Sequence, residues 1–157
     1  MPKPILKDNN LVSLIKDNIK LINELDSKIV IDFTTSKSDI LLNSDSEQLS
    51  RVFFNLIKNS IESIQDKKID DVNFIGKIDI SLNENADKIN FIIIDNGIGF
   101  GIFADNIKDI LNPYFTTKKK GTGLGLSIVN KIINDHNGKI SFVSLENGAK
   151  IEIIFTK

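Results

Sequence analysis

The chain has 157 residues, 41% of them hydrophobic, with 20 basic and 21 acidic side chains and a net charge of -1. One domain with a substantial core fits that length and two full domains do not, while the balanced charge excludes any global pull toward nucleic acid or anionic membrane. The absence of cysteine excludes a disulfide framework, a thiolate metal site and a cysteine nucleophile.

Residues 1–10 carry Pro2 and Pro4 among lysines and asparagines and read as an extended lead-in. They lack the apolar stretch of a signal peptide, and no apolar run in the chain is long enough to cross a bilayer. From Leu11 to Leu25 the positions Leu11, Leu14, Ile15, Asn18, Ile19 and Ile22 recur at helical spacing, with Asn18 a polar interruption. Strand patterns at 29–34 and 39–42, separated by Thr35-Ser36-Lys37-Ser38, predict a hairpin.

Asp45 or Ser46 can cap a second helix over about 47–65. At 100° per residue Leu49, Phe53, Leu56, Ile57, Ser60 and Ile64 share one face, and Gln48, Arg51, Asn55, Asn59 and Glu62 take the other. Exposed helical asparagines are usually plain solvated surface. A pair one turn apart also suits a hard, oxygen-seeking cation such as Mg²⁺ beside phosphates, because neutral amide oxygens add no repulsion.

A polar connection leads to strands at 76–82 and 88–94, the second ending in Phe91-Ile92-Ile93-Ile94, which predicts a central strand covered on both faces. Asp95-Asn96-Gly97-Ile98-Gly99 follows. It reads as an Asn-Gly turn and, compatibly, as an adenine site, since a carboxylate accepts from an exocyclic amine and glycines let a flat base lie against the backbone.

Residues 100–120 show no sustained period beyond a short helix near Phe103 to Leu111. A connection that long is usually functional or mobile. Its end, Lys118-Lys119-Lys120, fits either a solvated charge run or a lid over phosphates. Gly121-Thr122-Gly123-Leu124-Gly125-Leu126 then runs into a helix over about 124–134. Glycines let the backbone approach an anion, and a helix start aims unpaired N–H groups at it; a flexible hinge is the plainer reading of the same glycines. A dinucleotide fingerprint is disfavoured, because lysines rather than an apolar strand precede the glycines. Asn137-Gly138 ends the helix in a left-handed turn, and strands at 139–144 and 150–156 flank Glu146-Asn147-Gly148. The order α-β-β-α-β-β-lid-α-β-β predicts an α/β (α+β) two-layer sandwich, a mixed and mostly antiparallel sheet with helices on one face.

Four segments, Asn55-Leu-Ile-Lys-Asn59, Asp95-Asn-Gly97-Ile-Gly99, Pro113-Tyr-Phe-Thr-Thr-Lys118 and Gly121-Thr-Gly123-Leu-Gly125-Leu126, resemble in order and spacing the N, G1, F and G2 boxes of the histidine-kinase catalytic domain. That is the GHKL superfamily with its Bergerat ATP-binding fold, and the nitrogen-regulation type of sensor kinase is the most similar. The resemblance implies that Asp95 accepts from the adenine amine, with Gly97 and Gly99 shaping the base pocket. Asn59 would coordinate Mg²⁺ and Asn55 assist near the phosphates. Thr116, Thr117 and Lys118 would belong to a mobile lid over about 100–121, Lys118 reaching the terminal phosphate. Gly121, Thr122, Gly123, Leu124, Gly125 and Leu126 would cradle phosphates through backbone N–H groups.

The implied activity is transfer of the γ-phosphoryl of Mg-ATP to a histidine on a separate dimerisation domain, with a response regulator downstream. His136 lacks the Glu-x-x-x-Pro pattern that follows a phosphoacceptor and reads as structural. The resemblance therefore implies an excised catalytic module over 11–157, monomeric and cytoplasmic, with 1–10 leading out of the dimerisation domain. Glu62 stands where some members carry a basic residue. Two alternatives stay open: a nucleotide-gated interaction module without phosphoryl transfer, and another GHKL ATPase. The second is disfavoured by Asn55, which occupies the position of the general-base glutamate in such enzymes.

Overall fold

A computed structural model describes residues 2–25, 28–99 and 125–157. The lid, the helix expected near Phe103, and the residues Thr116, Thr117, Lys118, Gly121, Thr122, Gly123 and Leu124 lie outside the described residues.

The elements run β1 (Lys7–Asn10), α1 (Leu11–Leu25), β2 (Val30–Thr35), β3 (Leu41–Ser44), α2 (Ser46–Asp70), β4 (Lys77–Glu84), β5 (Lys88–Asp95), α3 (Gly125–Asp135), β6 (Gly138–Leu145) and β7 (Gly148–Thr156). Five strands form one sheet in the order β2-β4-β5-β7-β6, parallel only between β2 and β4, and β1 pairs with β3 in a separate antiparallel ribbon. The mixed, mostly antiparallel sheet with helices on one face is as expected.

Alternation along the strands fixes which face the helices cover. Ile78, Ile80, Leu82, Ile89, Phe91, Ile93, Ile151, Ile153 and Phe155 are buried, and they join Phe53, Leu56 and Ile57 of α2 and Val129, Ile132 and Ile133 of α3 in one core. The rings of Phe53 and Phe91 meet at 5.0 Å between centroids, a tilted pair that ties α2 to the middle strand. The intervening Ile92 and Ile94 are only half-buried. β5 is central as expected, but it is closed on one face rather than both; antiparallel neighbours let the other face meet water.

Two further expectations are corrected. The strands flanking residues 35–40 form no hairpin: β2 lies beside β4, with Val30 opposite Lys77, and β3 lies beside β1, with Leu41 opposite Asn10. The reason is that Asn10 takes the intervening chain for itself. Its side-chain oxygen accepts from the N–H groups of both Val12 and Ile40, and Leu11 N–H donates to Ile40 O at 2.8 Å. Within the lead-in Lys7–Asn10 form β1, and Pro2 O accepts from the Gln48 amide at 3.0 Å. Gln48 is consequently 8% exposed instead of sharing the open face of α2.

α2 is longer than its apolar pattern, running to Asp70, and its N-cap is Asp45, whose carboxylate accepts from Glu47 and Gln48 N–H groups. Asn18, the polar interruption in α1, is buried with its amide donating to Leu14 O and Ser50 Oγ. A fully satisfied amide can sit in a core at little cost. At the end of α3 the left-handed position is taken by Asn137, φ 57°, and not by the following glycine.

Candidate functional site

Asp95 closes β5 in the centre of the sheet, where pairing with Ile78 on one side and Ala149 on the other fixes its backbone. Its side chain is 6% exposed, and one carboxylate oxygen accepts the Gly97 N–H at 2.9 Å. Asn96 then replaces the next rung of the sheet: its Oδ1 accepts from Lys77 N–H at 2.8 Å and its Nδ2 donates to Ile75 O at 3.1 Å. Lys67 of α2 donates to Asn96 O at 3.1 Å while its ammonium sits 4.5 Å from the centre of the Phe74 ring.

The loop that follows docks on α2 through Ser63. Ile98 N–H donates to Ser63 O and Gly99 N–H to Ser63 Oγ, each at 3.2 Å. This approach explains the glycines. A Cβ on Gly97 would overlap the Ser63 side chain and lie 2.6 Å from its carbonyl carbon. Gly99 has φ +71°, and a Cβ there would meet Gly148 O at 2.6 Å. Gly148, at φ +127°, is pressed in turn against the Asp95 backbone oxygen. Asp95 is thus held from β4, β7, its own turn and the β6–β7 turn, a rigid setting for its carboxylate.

Asn59 and Asn55 lie one and two turns before Ser63 on the same side of α2, partly exposed, and neither amide is engaged by another described residue. Asp66 continues that line and has one enclosed carboxylate oxygen with no hydrogen-bond partner among the described residues. α3, which packs on α2, begins at Gly125, with Leu126 half-buried beside the core. Among the described residues nothing lies within 4 Å of the place where a Cβ on Gly125 would be, and its φ requires no glycine. Among the described residues neither packing nor backbone strain accounts for a glycine there.

The structure therefore brings Asn55, Asn59, Asp95, Gly97 and Gly99 together along one side of α2. Ser63, Asn96 and Lys67, which hold that assembly, were not legible as functional from the sequence. Their signal was spacing alone, Ser63 one turn beyond Asn59. Among the described residues no cluster of three His, Cys, Asp or Glu side chains could hold a metal. The two amide oxygens are the hard, neutral donors on offer, and they suit a divalent cation that shares its charge with phosphates. A cavity of about 330 Å³ lies at the other end of the sheet, bordered by Leu6, Leu41, Glu84, His136 and Lys157, away from Asp95.

Residues 44–157 match the family described as histidine kinase-, DNA gyrase B-, and HSP90-like ATPase. An NtrY-like relative from Rickettsia prowazekii (strain Madrid E) is 33% identical over 156 residues, 99% of this chain and 25% of its own. The sensor histidine kinase ZraS of Escherichia coli O157:H7 is 32% identical over 147 residues, 92% of this chain and 30% of its own. Among solved structures, the catalytic domain of histidine kinase ThkA in a nucleotide-free form superposes with a TM-score of 0.83 at 31% identity, covering 98% of this chain and 96% of that one. ThkA in complex with the response regulator protein TrrA gives a TM-score of 0.79 at 29% identity, covering 98% of this chain and 42% of that one. The chain thus spans about a fifth to a third of the length of the curated relatives it matches.

Proposed function

The chain belongs to the histidine kinase-, DNA gyrase B-, and HSP90-like ATPase family, and from that premise we propose that it is the ATP-binding catalytic domain of a two-component sensor histidine kinase. The observation that carries the reading is the docking of the Asp95-to-Gly99 loop on Ser63, which sets a buried carboxylate beside the helix that presents Asn55 and Asn59. A base-recognising acceptor and two neutral, cation-seeking amides on one rigid frame suit a nucleotide lying across α2.

In this reading Asp95 accepts the adenine amine, and Gly97 and Gly99 leave room for the ring. Asn59, assisted by Asn55, holds Mg²⁺, which when bound neutralises phosphate charge. Gly125 and Leu126, with Gly121, Thr122, Gly123 and Leu124 before them, offer backbone N–H groups to the phosphates at a helix start. Thr116, Thr117 and Lys118 close over them. The chain's task is then positioning and charge neutralisation, which is most of what phosphoryl transfer asks of a protein. The bond from the γ-phosphorus to the bridging oxygen breaks, a phosphorus–nitrogen bond forms on a histidine of a dimerisation domain, and ADP leaves.

His136 does not serve as that acceptor. It is 6% exposed and both ring nitrogens are occupied by backbone groups. The phosphoacceptor then belongs to another domain, with a response regulator as the downstream partner. ThkA, similar over 98% of this chain, has been solved with such a regulator. Likeness to nitrogen-regulation kinases and a cytoplasmic location belong to the same proposal. The other ATPases of the family are disfavoured, since Asn55 supplies no general base for water.

The test is a calorimetric titration of ADP and ATP, with and without Mg²⁺, on the native chain and on Asp95→Asn. Binding that responds to Mg²⁺ and is lost in the variant is expected. Labelling from γ-labelled ATP is then expected only when a phosphoacceptor domain is added. No binding by folded native chain overturns the nucleotide site, and hydrolysis by the isolated chain at an enzyme-like rate favours the ATPase reading.

A further inference from the structure

His136 ends α3 and touches the start of α2. Its Nδ1 lies 2.8 Å from Ile132 O, and since a carbonyl only accepts, Nδ1 carries the proton. Nε2 is then a bare acceptor, and it takes the backbone N–H of Asp45, the N-cap of α2, at 3.1 Å. The rest of Asp45 is equally committed: its carboxylate accepts from Ile5, Glu47 and Gln48 N–H groups, and its carbonyl accepts from Leu49 N–H. One imidazole therefore ties the residue that follows α3 to the N-cap of α2.

We propose that His136 is a positioning residue for nucleotide phosphates, pinning α3 to the N-cap of α2 so that the glycine-bearing start of α3 stands level with the asparagines of α2. The lengths agree. At 1.5 Å per residue, both the path back from His136 to Gly125 and the path forward from Asp45 to Asn55 come to about 15–17 Å. α3 packs on α2 with its C-terminal end held at the N-cap of α2, so in the proposed arrangement Gly125 stands level with Asn55. Apolar contacts such as those of Val129, Ile132 and Ile133 hold the helices together but are non-directional, so they set the register along the axes less sharply than a hydrogen bond does. A directional bond at one end sets the register. The base half of the site does not depend on it, since Asp95, Gly97 and Gly99 are fixed by the sheet and Ser63.

This inference rests on the proposed nucleotide site, and two near-isosteric variants separate it from mere stability. In His136→Asn the carboxamide nitrogen reaches the position of Nδ1 and can keep the Ile132 bond, but nothing reaches Asp45. In His136→Gln the carboxamide oxygen reaches the position of Nε2 and keeps the link to Asp45. Affinities for adenosine and for Mg-ADP are measured by chemical-shift titration and calorimetry on the whole chain, well below each variant's thermal midpoint. The expected result is that His136→Asn weakens Mg-ADP about tenfold while adenosine changes less than twofold, and that His136→Gln recovers most of the loss. Unchanged Mg-ADP affinity in a thermally weakened His136→Asn overturns the inference, as does an equal loss for both ligands or a failure of His136→Gln to recover. A native chain that binds neither ligand instead overturns the site itself.

Discussion

The hydroxyl of Ser63, on α2, accepts the backbone N–H of Gly99, beyond the end of β5, at 3.2 Å. This contact joins the two parts of the proposed site, and the space between them is filled by backbone at Gly97. Gly97→Ala is expected to lower stability by about 1–3 kcal/mol, because the added carbon meets the Ser63 and Ile64 backbone, which no rotamer change relieves. It should also weaken nucleotide binding at least tenfold by lifting the loop off α2. Ser63→Ala removes one hydrogen bond and should cost only about 1 kcal/mol. Urea unfolding and ADP titration of both variants check the order.

Gly125→Ala should behave in the opposite way. With nothing described within 4 Å of the new carbon and no positive φ to forbid it, the fold should be unharmed, or stabilised by up to about 1 kcal/mol through the stiffer unfolded chain. If that glycine exists to let phosphates approach the start of α3, Mg-ADP affinity should fall several-fold in the same protein. A thermal melt beside a titration reads both. Equal affinity in the two proteins would remove Gly125 from the phosphate site.

The asparagines, the carboxylate and the glycines of this site were legible because each is a residue type whose chemistry is local: an amide at helical spacing, an acid at the end of an apolar strand, a glycine before a helix. The frame that aligns them was not. Ser63 acts through a contact with Gly99, 36 positions away, and Asn96 through bonds to Ile75 and Lys77, which no periodicity encodes. Strand partners failed for the same reason. The pattern at 29–42 gave two strands correctly, but their pairing depends on the Asn10 amide and on the free edge of β4. Gln48 points to the open side by angle alone and is covered because residues 2–5 fold back across the start of α2.

The core should be least tolerant where α2 meets the middle of the sheet. Phe53 and Phe91 are both fully buried, and their rings are in contact. Phe53→Ala is expected to cost about 3–5 kcal/mol, a large share of the roughly 5–15 kcal/mol typical of a whole domain. Phe53→Leu keeps most of the volume and should lose clearly less. Denaturant midpoints of the two variants test this, and a similar cost for both would mean that the site collapses around the missing ring.

The N-cap of α2 makes stability depend on pH at the acid end. Asp45 is held below the ordinary carboxylate range, first by the Ile5 N–H and then by those of Gln48 and Glu47, with burial opposing them. A folded-state value lowered in this way means that the carboxylate contributes fully above the unfolded value, near pH 4, and that its contribution is lost as pH falls through the folded value. Asp45→Asn keeps a capping oxygen but cannot ionise, so its stability relative to the native chain should converge as pH drops from about 5 toward 2. Asp45→Ala removes the cap at every pH and should cost about 0.5–2 kcal/mol even where the native carboxylate is protonated. Unfolding curves of the three proteins across that range check the sign. A native-minus-Asn difference that grows on acidification would mean that the Ile5 link does not favour the charged form.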